Sequence, residues 1–161
     1  MLLRLDLATG ALEVLADRMR RPRAVTRAAD GTIYVTAGAL RAPGEDDEDD
    51  DGEDEDDDSH HGDCHGELRG VLLRLGGSAL VPVATGFDRP AGLALDPGDG
   101  SVLVAAERYR QGHTRLRGGV FRVSPSGAVS VSCPDPLRRP WGLARDASGA
   151  LYVSDRRSGS R

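Results

Sequence analysis

One phrase occurs three times in this chain of 161 residues, and it constrains the fold more than any other feature. Each copy begins with Arg-Pro, continues into an apolar run, passes a turn that contains glycine, and ends in a second apolar run. The copies begin at Arg21-Pro22, Arg89-Pro90 and Arg139-Pro140. A recurring strand-turn-strand phrase indicates a repeat architecture.

A second phrase, an arginine inside an apolar run, alternates with the first. Its copies are Leu2–Leu5, Leu72–Leu75 and Val120–Val123. The arginine of each copy precedes the next proline of the first phrase by 18, 16 and 18 residues, and Arg74 and Arg122 are 48 residues apart. Four short strands in a unit of about 40 to 50 residues are typical of β-propeller blades.

Turn residues separate the apolar runs. Glycine adopts the positive backbone angles of tight hairpin turns, which residues with a β-carbon resist. We therefore expect hairpin turns at Thr9-Gly10, Asp30-Gly31, Gly76-Gly77, Asp99-Gly100, Ser126-Gly127 and Ser148-Gly149.

The prolines and two further glycines also have positional meaning. Because proline has no backbone N–H, we expect the repeated prolines at strand starts and Pro82 on an outer edge strand. We expect Gly92 and Gly142 where an innermost strand approaches its neighbours closely.

These features predict an all-β protein built from four-stranded antiparallel propeller blades. The units amount to half a blade, two whole blades and another half, or about three blades' worth. Closed propellers have four to eight blades, so we expect an incomplete ring, either a piece of a larger ring or an arc that self-association with a second copy completes. The predicted segments are a first propeller segment (1–44), an acidic insert (45–67) and the continuing blades (68–161).

The acidic insert has a composition unlike the rest of the chain. It holds 15 of the 26 acidic residues and no arginine, which leaves 11 acidic residues against 21 arginines elsewhere. A block of like charge cannot bury enough apolar surface to offset the entropy of ordering its backbone. We expect a solvated, disordered segment, and an electrostatic tether to the arginine-rich body is an alternative.

Four potential metal ligands lie in this insert: His60, His61, Cys64 and His65. Imidazole and thiolate suit Zn²⁺, Ni²⁺ or Cu²⁺. Their spacing matches no closed structural zinc pattern, so the sequence favours adventitious metal binding over a specific site.

Composition also bears on the compartment. The chain has no apolar stretch of membrane-spanning length and no charged-then-apolar leader. Two cysteines do not make a disulfide framework. We therefore expect no membrane partner and prefer a cytoplasmic location.

The repeat resembles the six-bladed, TolB-like propellers, in particular NHL-repeat proteins and the SMP-30/gluconolactonase and strictosidine synthase-like groups. Pro140-Trp141-Gly142-Leu143-Ala144, followed by Asp146, Gly149 and Leu151-Tyr152-Val153-Ser154-Asp155, is similar to the NHL pattern. Asp30 to Thr36, the insert, and Gly70 to Leu95 resemble the lactonase and strictosidine synthase-like groups in order and spacing. The resemblance implies a fold and leaves the activity open, because this scaffold hosts unrelated functions.

The lactonase resemblance implies a divalent cation, usually Ca²⁺, near the central axis, where Glu, Asn and Asp hold it and it activates water. This chain has no asparagine, so that ligand set is incomplete. Glu107 and Asp155 end strands of two repeats and are the candidate ligands, with Glu107 also the candidate catalytic residue. The alternative for Asp155 is that it braces its own turn, as in NHL repeats.

Three other features are candidate binding groups. His113 lies in a polar connection between strands, and Trp141 begins an innermost strand, where it contacts a ligand or packs in the core. A basic loop contains Tyr109 and is a candidate for RNA or phosphate contact. Its arginines are Arg108, Arg110, Arg115 and Arg117.

The sequence therefore favours a ligand- or protein-binding propeller module that takes a small molecule or protein on its face. The alternative is a Ca²⁺-dependent lactone or ester hydrolase that further blades complete. A second alternative is RNA or polyanion binding, although the pattern does not favour a nucleic-acid partner.

Overall fold

The structure is a computed structural model that describes residues 1–41, 68–77, 79–117, 119–133 and 137–156. These ranges form strands and no helix, and every paired strand is antiparallel. The strands are β1 (Leu2–Leu5), β2 (Leu12–Ala16), β3 (Met19–Arg27), β4 (Ile33–Leu40), β5 (Leu68–Gly76), β6 (Ala79–Ala84), β7 (Phe87–Asp88), β8 (Leu93–Leu95), β9 (Val102–Ala105), β10 (Arg108–Gln111), β11 (Thr114–Arg117), β12 (Val120–Val123), β13 (Val129–Cys133), β14 (Pro140–Arg145) and β15 (Leu151–Asp155).

Two four-stranded sheets are whole blades. Their strand orders are β3-β4-β5-β6 and β8-β9-β12-β13, while β1-β2 and β14-β15 are two-stranded sheets. The chain is thus an arc of β-propeller blades, and the described strands close no ring. The predicted fold class is confirmed, together with the division into half, whole, whole and half blades.

Three apolar clusters join consecutive sheets, one at each junction. Val35 and Leu73 of the first whole blade pack toward Leu2 and Ala16 of the β1-β2 sheet. The largest cluster lies between the whole blades and includes Leu72 and Phe121, both fully buried. The third cluster joins the second whole blade to the β14-β15 sheet through Leu103, Val120, Leu143 and Val153. Blade-on-blade burial therefore fixes the inner strands side by side.

The predicted turns are confirmed. In all six pairs the glycine at the second position has a positive φ, between 64° and 93°. Gly92 is also confirmed as a close approach, because a β-carbon there would lie 2.6 Å from the backbone nitrogen of Leu143 in the next sheet. Gly142 differs, since its nearest neighbour is the Ser154 hydroxyl of its own hairpin, at 3.0 Å.

The prolines agree with the prediction in part. Pro140 begins β14, Pro90 precedes β8, and Pro82 lies in the outermost strand β6. Pro22 lies inside β3, which is not a strand start. It is accommodated there because β3 is an end strand and its pairing with β4 shifts register between Pro22 and Ala24.

One sheet was not predicted. β7, β10 and β11 form a three-stranded sheet in the order β11-β10-β7, so the predicted basic loop is a β-hairpin. The β10-β11 hairpin is inserted between β9 and β12 of the second whole blade. Residues 41–67 are inserted at the equivalent place of the first whole blade, between β4 and β5. Phe87, Tyr109 and Phe121 pack under this sheet, with ring centroids 5.2 to 6.1 Å apart.

Residues 45–67 lie outside the described residues, and the division into three segments stays a prediction. In the part of the chain that the structure describes, no helix has the length and apolarity needed to cross a membrane.

Candidate functional site

The three repeated Arg-Pro pairs converge on one cavity of about 380 Å³ beside the innermost strands. We call this cavity the axial pocket. Because β8 contacts both β3 and β14, the pairs at Arg21, Arg89 and Arg139 come together from three successive repeats. The residues lining the pocket are Arg21, Arg23, Arg89, Glu107, Arg139, Pro140, Trp141 and Arg156.

The backbone is unusual at two of these arginines. Arg21 and Arg89 have φ angles of 48° and 50°, in the left-handed region that residues with a β-carbon rarely adopt. Both precede a proline and occupy equivalent places in two blades. Backbone strain of this kind costs on the order of 1–3 kcal/mol and persists only where the surrounding structure imposes it. The fold therefore holds both arginines at the pocket in a fixed backbone conformation.

Glu107 follows β9 and supplies the one carboxylate among the residues that line the axial pocket. Its side chain is only 19% exposed. Its Oε1 lies 3.6 Å from Nη1 of Arg89 and 3.7 Å from Nε of Arg139. These are ion pairs at distances too long for good hydrogen bonds, so neither guanidinium is fully occupied by Glu107.

The charge of the pocket is positive. Arg21 has an interaction partner of its own, and without it four arginines still line the pocket with one carboxylate: Arg23, Arg89, Arg139 and Arg156. Arg89 and Arg139 are 59% and 53% exposed. A concave site lined by one sign of charge concentrates oppositely charged ligands.

Trp141 lies at this pocket and not in the core. Its side chain is 54% exposed, and the Arg23 guanidinium carbon lies 5.3 Å from the ring centroid. This distance fits a cation–π contact. Of the two interpretations of Trp141 from the sequence, the structure excludes core packing, and Trp141 offers the pocket an apolar surface.

Asp155 has a different environment. Its carboxylate accepts hydrogen bonds from the backbone N–H groups of Arg139, at 2.7 Å, and Arg138, at 3.3 Å. It braces the start of its own hairpin, and it is not among the lining residues of the axial pocket. The strand register places Arg156, and not Asp155, at the position equivalent to Glu107.

His113 lies in the turn between β10 and β11 and is exposed. It is not among the residues that line the axial pocket. Tyr109 is 3% exposed, and burial raises the pKa of its hydroxyl. The hairpin therefore offers no exposed aromatic ring at Tyr109 on which a nucleic-acid base could stack.

The donor set does not fit the Ca²⁺ site that the sequence resemblance implies. A cation at Glu107 would lie beside the guanidinium groups of Arg89 and Arg139, and Asp155 is engaged by backbone N–H groups. Among the described residues no group of three or more His, Cys, Asp or Glu side chains could hold a metal ion. The candidate ligands His60, His61, Cys64 and His65 lie outside the described residues.

A second charged cluster lies at the turn end of the blades. Asp96 accepts hydrogen bonds from Arg122 of its own blade and Arg145 of the next sheet, both at 2.6 Å. The hydrogen bond from Arg145, and next the one from the backbone N–H of Gly98, hold the pKa of Asp96 below its ordinary value. Asp96 therefore links two consecutive sheets through paired charges.

Fold and site together define this chain as an arc of a β-propeller with a cationic pocket at its inner strands. No family model and no curated protein matches it. Among solved structures it is similar to a gluconolactonase from Xanthomonas campestris, with 21% sequence identity and a TM-score of 0.47. The likeness covers 95% of this chain and 61% of that protein, so the chain spans about three fifths of its length.

Proposed function

We propose that this propeller arc binds a small anionic molecule in the axial pocket. The observation that carries the proposal is the convergence of the repeated Arg-Pro pairs, which brings Arg21, Arg89 and Arg139 to one cavity around a single lining carboxylate. A repeated arginine that faced solvent at scattered places would carry no such implication.

The chemistry of the pocket suits carboxylate or phosphate groups. Guanidinium groups donate paired N–H hydrogen bonds to such groups, and bonds between ionised partners are roughly twice as strong as neutral ones. Since Glu107 lies 3.6 Å or more from its two arginines, an anion that brings closer oxygen atoms competes with it. Trp141 provides an adjoining apolar surface for the remainder of the ligand.

Calorimetric titration of the full chain at low ionic strength with citrate, and separately with inorganic phosphate, tests the proposal. We expect saturable binding that weakens with added salt. Arg139→Gln should weaken it, whereas Arg138→Gln should not, because the neighbouring Arg138 is outside the pocket. Absence of saturable binding, or an equal loss in both variants, would contradict the proposal.

A second candidate is lactone or ester hydrolysis at the same pocket. The observation that favours it is the position of Glu107, a largely buried carboxylate at the inner strands, where the sequence resemblance implies the catalytic centre. Arg89 and Arg139 would stabilise the oxyanion that develops on an attacked carbonyl. Lactone hydrolysis is also the activity named for the Xanthomonas campestris protein, and for this chain it is a proposal.

A panel of lactones and esters, assayed with and without added Ca²⁺, separates the two candidates. Turnover that Glu107→Gln abolishes would establish the hydrolase. Anion binding without turnover would support the anion-binding function and exclude hydrolysis of the tested lactones and esters.

A further inference from the structure

The β10-β11 hairpin presents four arginines on one face. Arg108 is directly opposite Arg117, and Arg110 is directly opposite Arg115. Because side chains alternate along a strand, these four share a face, while Tyr109 and Leu116 point the other way toward the core. We call this set, Arg108, Arg110, Arg115 and Arg117, the arginine ladder.

The ladder has an excess of positive charge. Like charges directly opposite each other in antiparallel strands are destabilising. Asp88 is opposite Arg108 in β7, but within the described residues no side chain forms an ion pair with any of the four arginines. All four are exposed. The hairpin is therefore a charged surface that an anionic partner would stabilise.

The underside of the hairpin is firmly held. Tyr109 packs on Phe87 and Phe121, and its hydroxyl donates a 2.6 Å hydrogen bond to Oε1 of Gln111. The N–H of Arg110 donates to the carbonyl of Gly86 at 2.8 Å. The ladder is thus a fixed platform, which lowers the entropic cost of binding a partner.

We infer that the arginine ladder is a docking surface for an acidic polypeptide segment, and that the segment is residues 45–67 of the same chain. Charge complementarity supports this occupant, because the segment holds 15 acidic residues and no arginine. Carboxylates match the paired N–H geometry of guanidinium groups. With Tyr109 buried, the hairpin lacks the stacking surface that would favour single-stranded nucleic acid.

The position of the segment's attachment supports the same occupant. Residues 41–67 leave β4 after Leu40 and rejoin β5 at Leu68, and these two residues are paired. Gly70, two residues after Leu68 in β5, packs so closely on β7 that a β-carbon there would overlap the carbonyl of Phe87. Strand β7 in turn pairs with β10 of the hairpin. A covalently attached segment rooted beside the hairpin competes at an effective concentration on the order of millimolar.

Retention on immobilised poly-L-glutamate at low salt tests this inference with the full chain and with a variant lacking residues 45–67. We expect the full chain to elute at clearly lower salt than the deletion variant, because residues 45–67 occupy the ladder in the full chain. In the deletion background, Arg110→Gln combined with Arg115→Gln should elute at clearly lower salt. Arg27→Gln combined with Arg138→Gln removes the same charge away from the hairpin and should have a smaller effect.

On poly-L-glutamate, any of three results would overturn the inference. The full chain is retained as strongly as the deletion variant, or the deletion variant is not retained, or the two double variants elute alike. Retention of the full chain on immobilised polyuridylate that Arg110→Gln combined with Arg115→Gln abolishes would also overturn it, because nucleic acid would then bind the ladder in the presence of residues 45–67. Circular dichroism of each variant confirms that the strands remain folded.

Discussion

Arginine has opposite roles in two charged regions of the blades, the turn end around Asp96 and the axial pocket around Glu107. At the turn end, Asp96 accepts hydrogen bonds from Arg122 and Arg145 at 2.6 Å. At the axial pocket, Glu107 is 3.6 and 3.7 Å from Arg89 and Arg139. The arginines of the first region are fully engaged by carboxylates, and those of the second are not.

This difference indicates which arginines serve the fold and which serve a ligand. Asp96 is 15% exposed and bridges two sheets, so its charge pairs hold the arc together. Arg89 and Arg139 of the pocket are more than half exposed, and the pocket arginines outnumber the lining carboxylate. Substitutions at the turn end should therefore change stability, and substitutions at the pocket should change binding.

The largest loss of stability is expected at the contact between the inner strands β8 and β14, next to which Gly92 lies. In Gly92→Ala the new β-carbon would lie 2.6 to 2.9 Å from backbone atoms of Trp141, Gly142 and Leu143. Overpacking costs about 1–3 kcal/mol, and more where the obstacle is backbone that cannot move aside. Urea unfolding measures the loss of stability. Gly76→Ala is the matched control, since nothing lies within 3.4 Å of a β-carbon there; equal losses would contradict the described contact between β8 and β14.

The next largest effect is expected at Asp96. Asp96→Asn removes the carboxylate shared by Arg122 and Arg145 and should lower the melting temperature measured by calorimetry. Glu13→Gln is the control, because its partner Arg4 is 70% exposed and surface ion pairs contribute about 0–1 kcal/mol. A melting temperature lowered equally by both substitutions would mean that Asp96 does not link the sheets.

Acid should destabilise the turn end. Hydrogen bonds, from Arg145 to Asp96 and from the Ser148 hydroxyl to Asp146, are the main causes that lower the pKa of these carboxyl groups. A folded-state pKa below the unfolded value of about 3.8 adds stability above that pH, and this contribution is lost as pH falls through the folded pKa. Urea midpoints should fall below about pH 4, and less steeply in Asp96→Asn. A parallel decline in both proteins would contradict the role of Asp96.

The smallest effect on stability is expected at the pocket. Arg139→Gln removes an exposed partner of Glu107 at 3.7 Å, so the free energy of unfolding should change by less than about 1 kcal/mol. A substantially larger loss in urea unfolding would assign Arg139 to the fold and remove the distinction between the two regions.

Much of the fold can be predicted from the sequence because its determinants are local. The six glycine turns and the edge position of Pro82 follow from backbone chemistry that any propeller arc must satisfy. The β10-β11 hairpin was missed because its strands alternate arginine with single apolar residues. The burial of Tyr109 shows that β10 is a strand, but this burial depends on contacts with Phe87 and Phe121. Those contacts join different parts of the chain, so a local pattern does not reveal them.

The candidate site is harder to predict from the sequence, although one sequence feature points to it. Each repeated proline is preceded by arginine, but strand geometry accounts only for the prolines. That Arg21, Arg89 and Arg139 face one cavity depends on the rotation from blade to blade, which no local pattern specifies. Trp141 and Glu107 line the axial pocket, and their roles there stay predictions. For Asp155 the sequence leaves two interpretations open, a shared ion site and a brace for its own turn, and the hydrogen bonds from the backbone N–H groups of Arg138 and Arg139 agree with the brace.

The most direct measurement compares citrate and Ca²⁺ binding to the native chain and to Glu107→Gln by calorimetry. If the axial pocket is an anion site that Glu107 partly neutralises, the substitution tightens citrate binding and leaves Ca²⁺ binding unchanged. Weaker citrate binding in Glu107→Gln, or Ca²⁺ binding that the substitution abolishes, would contradict the account.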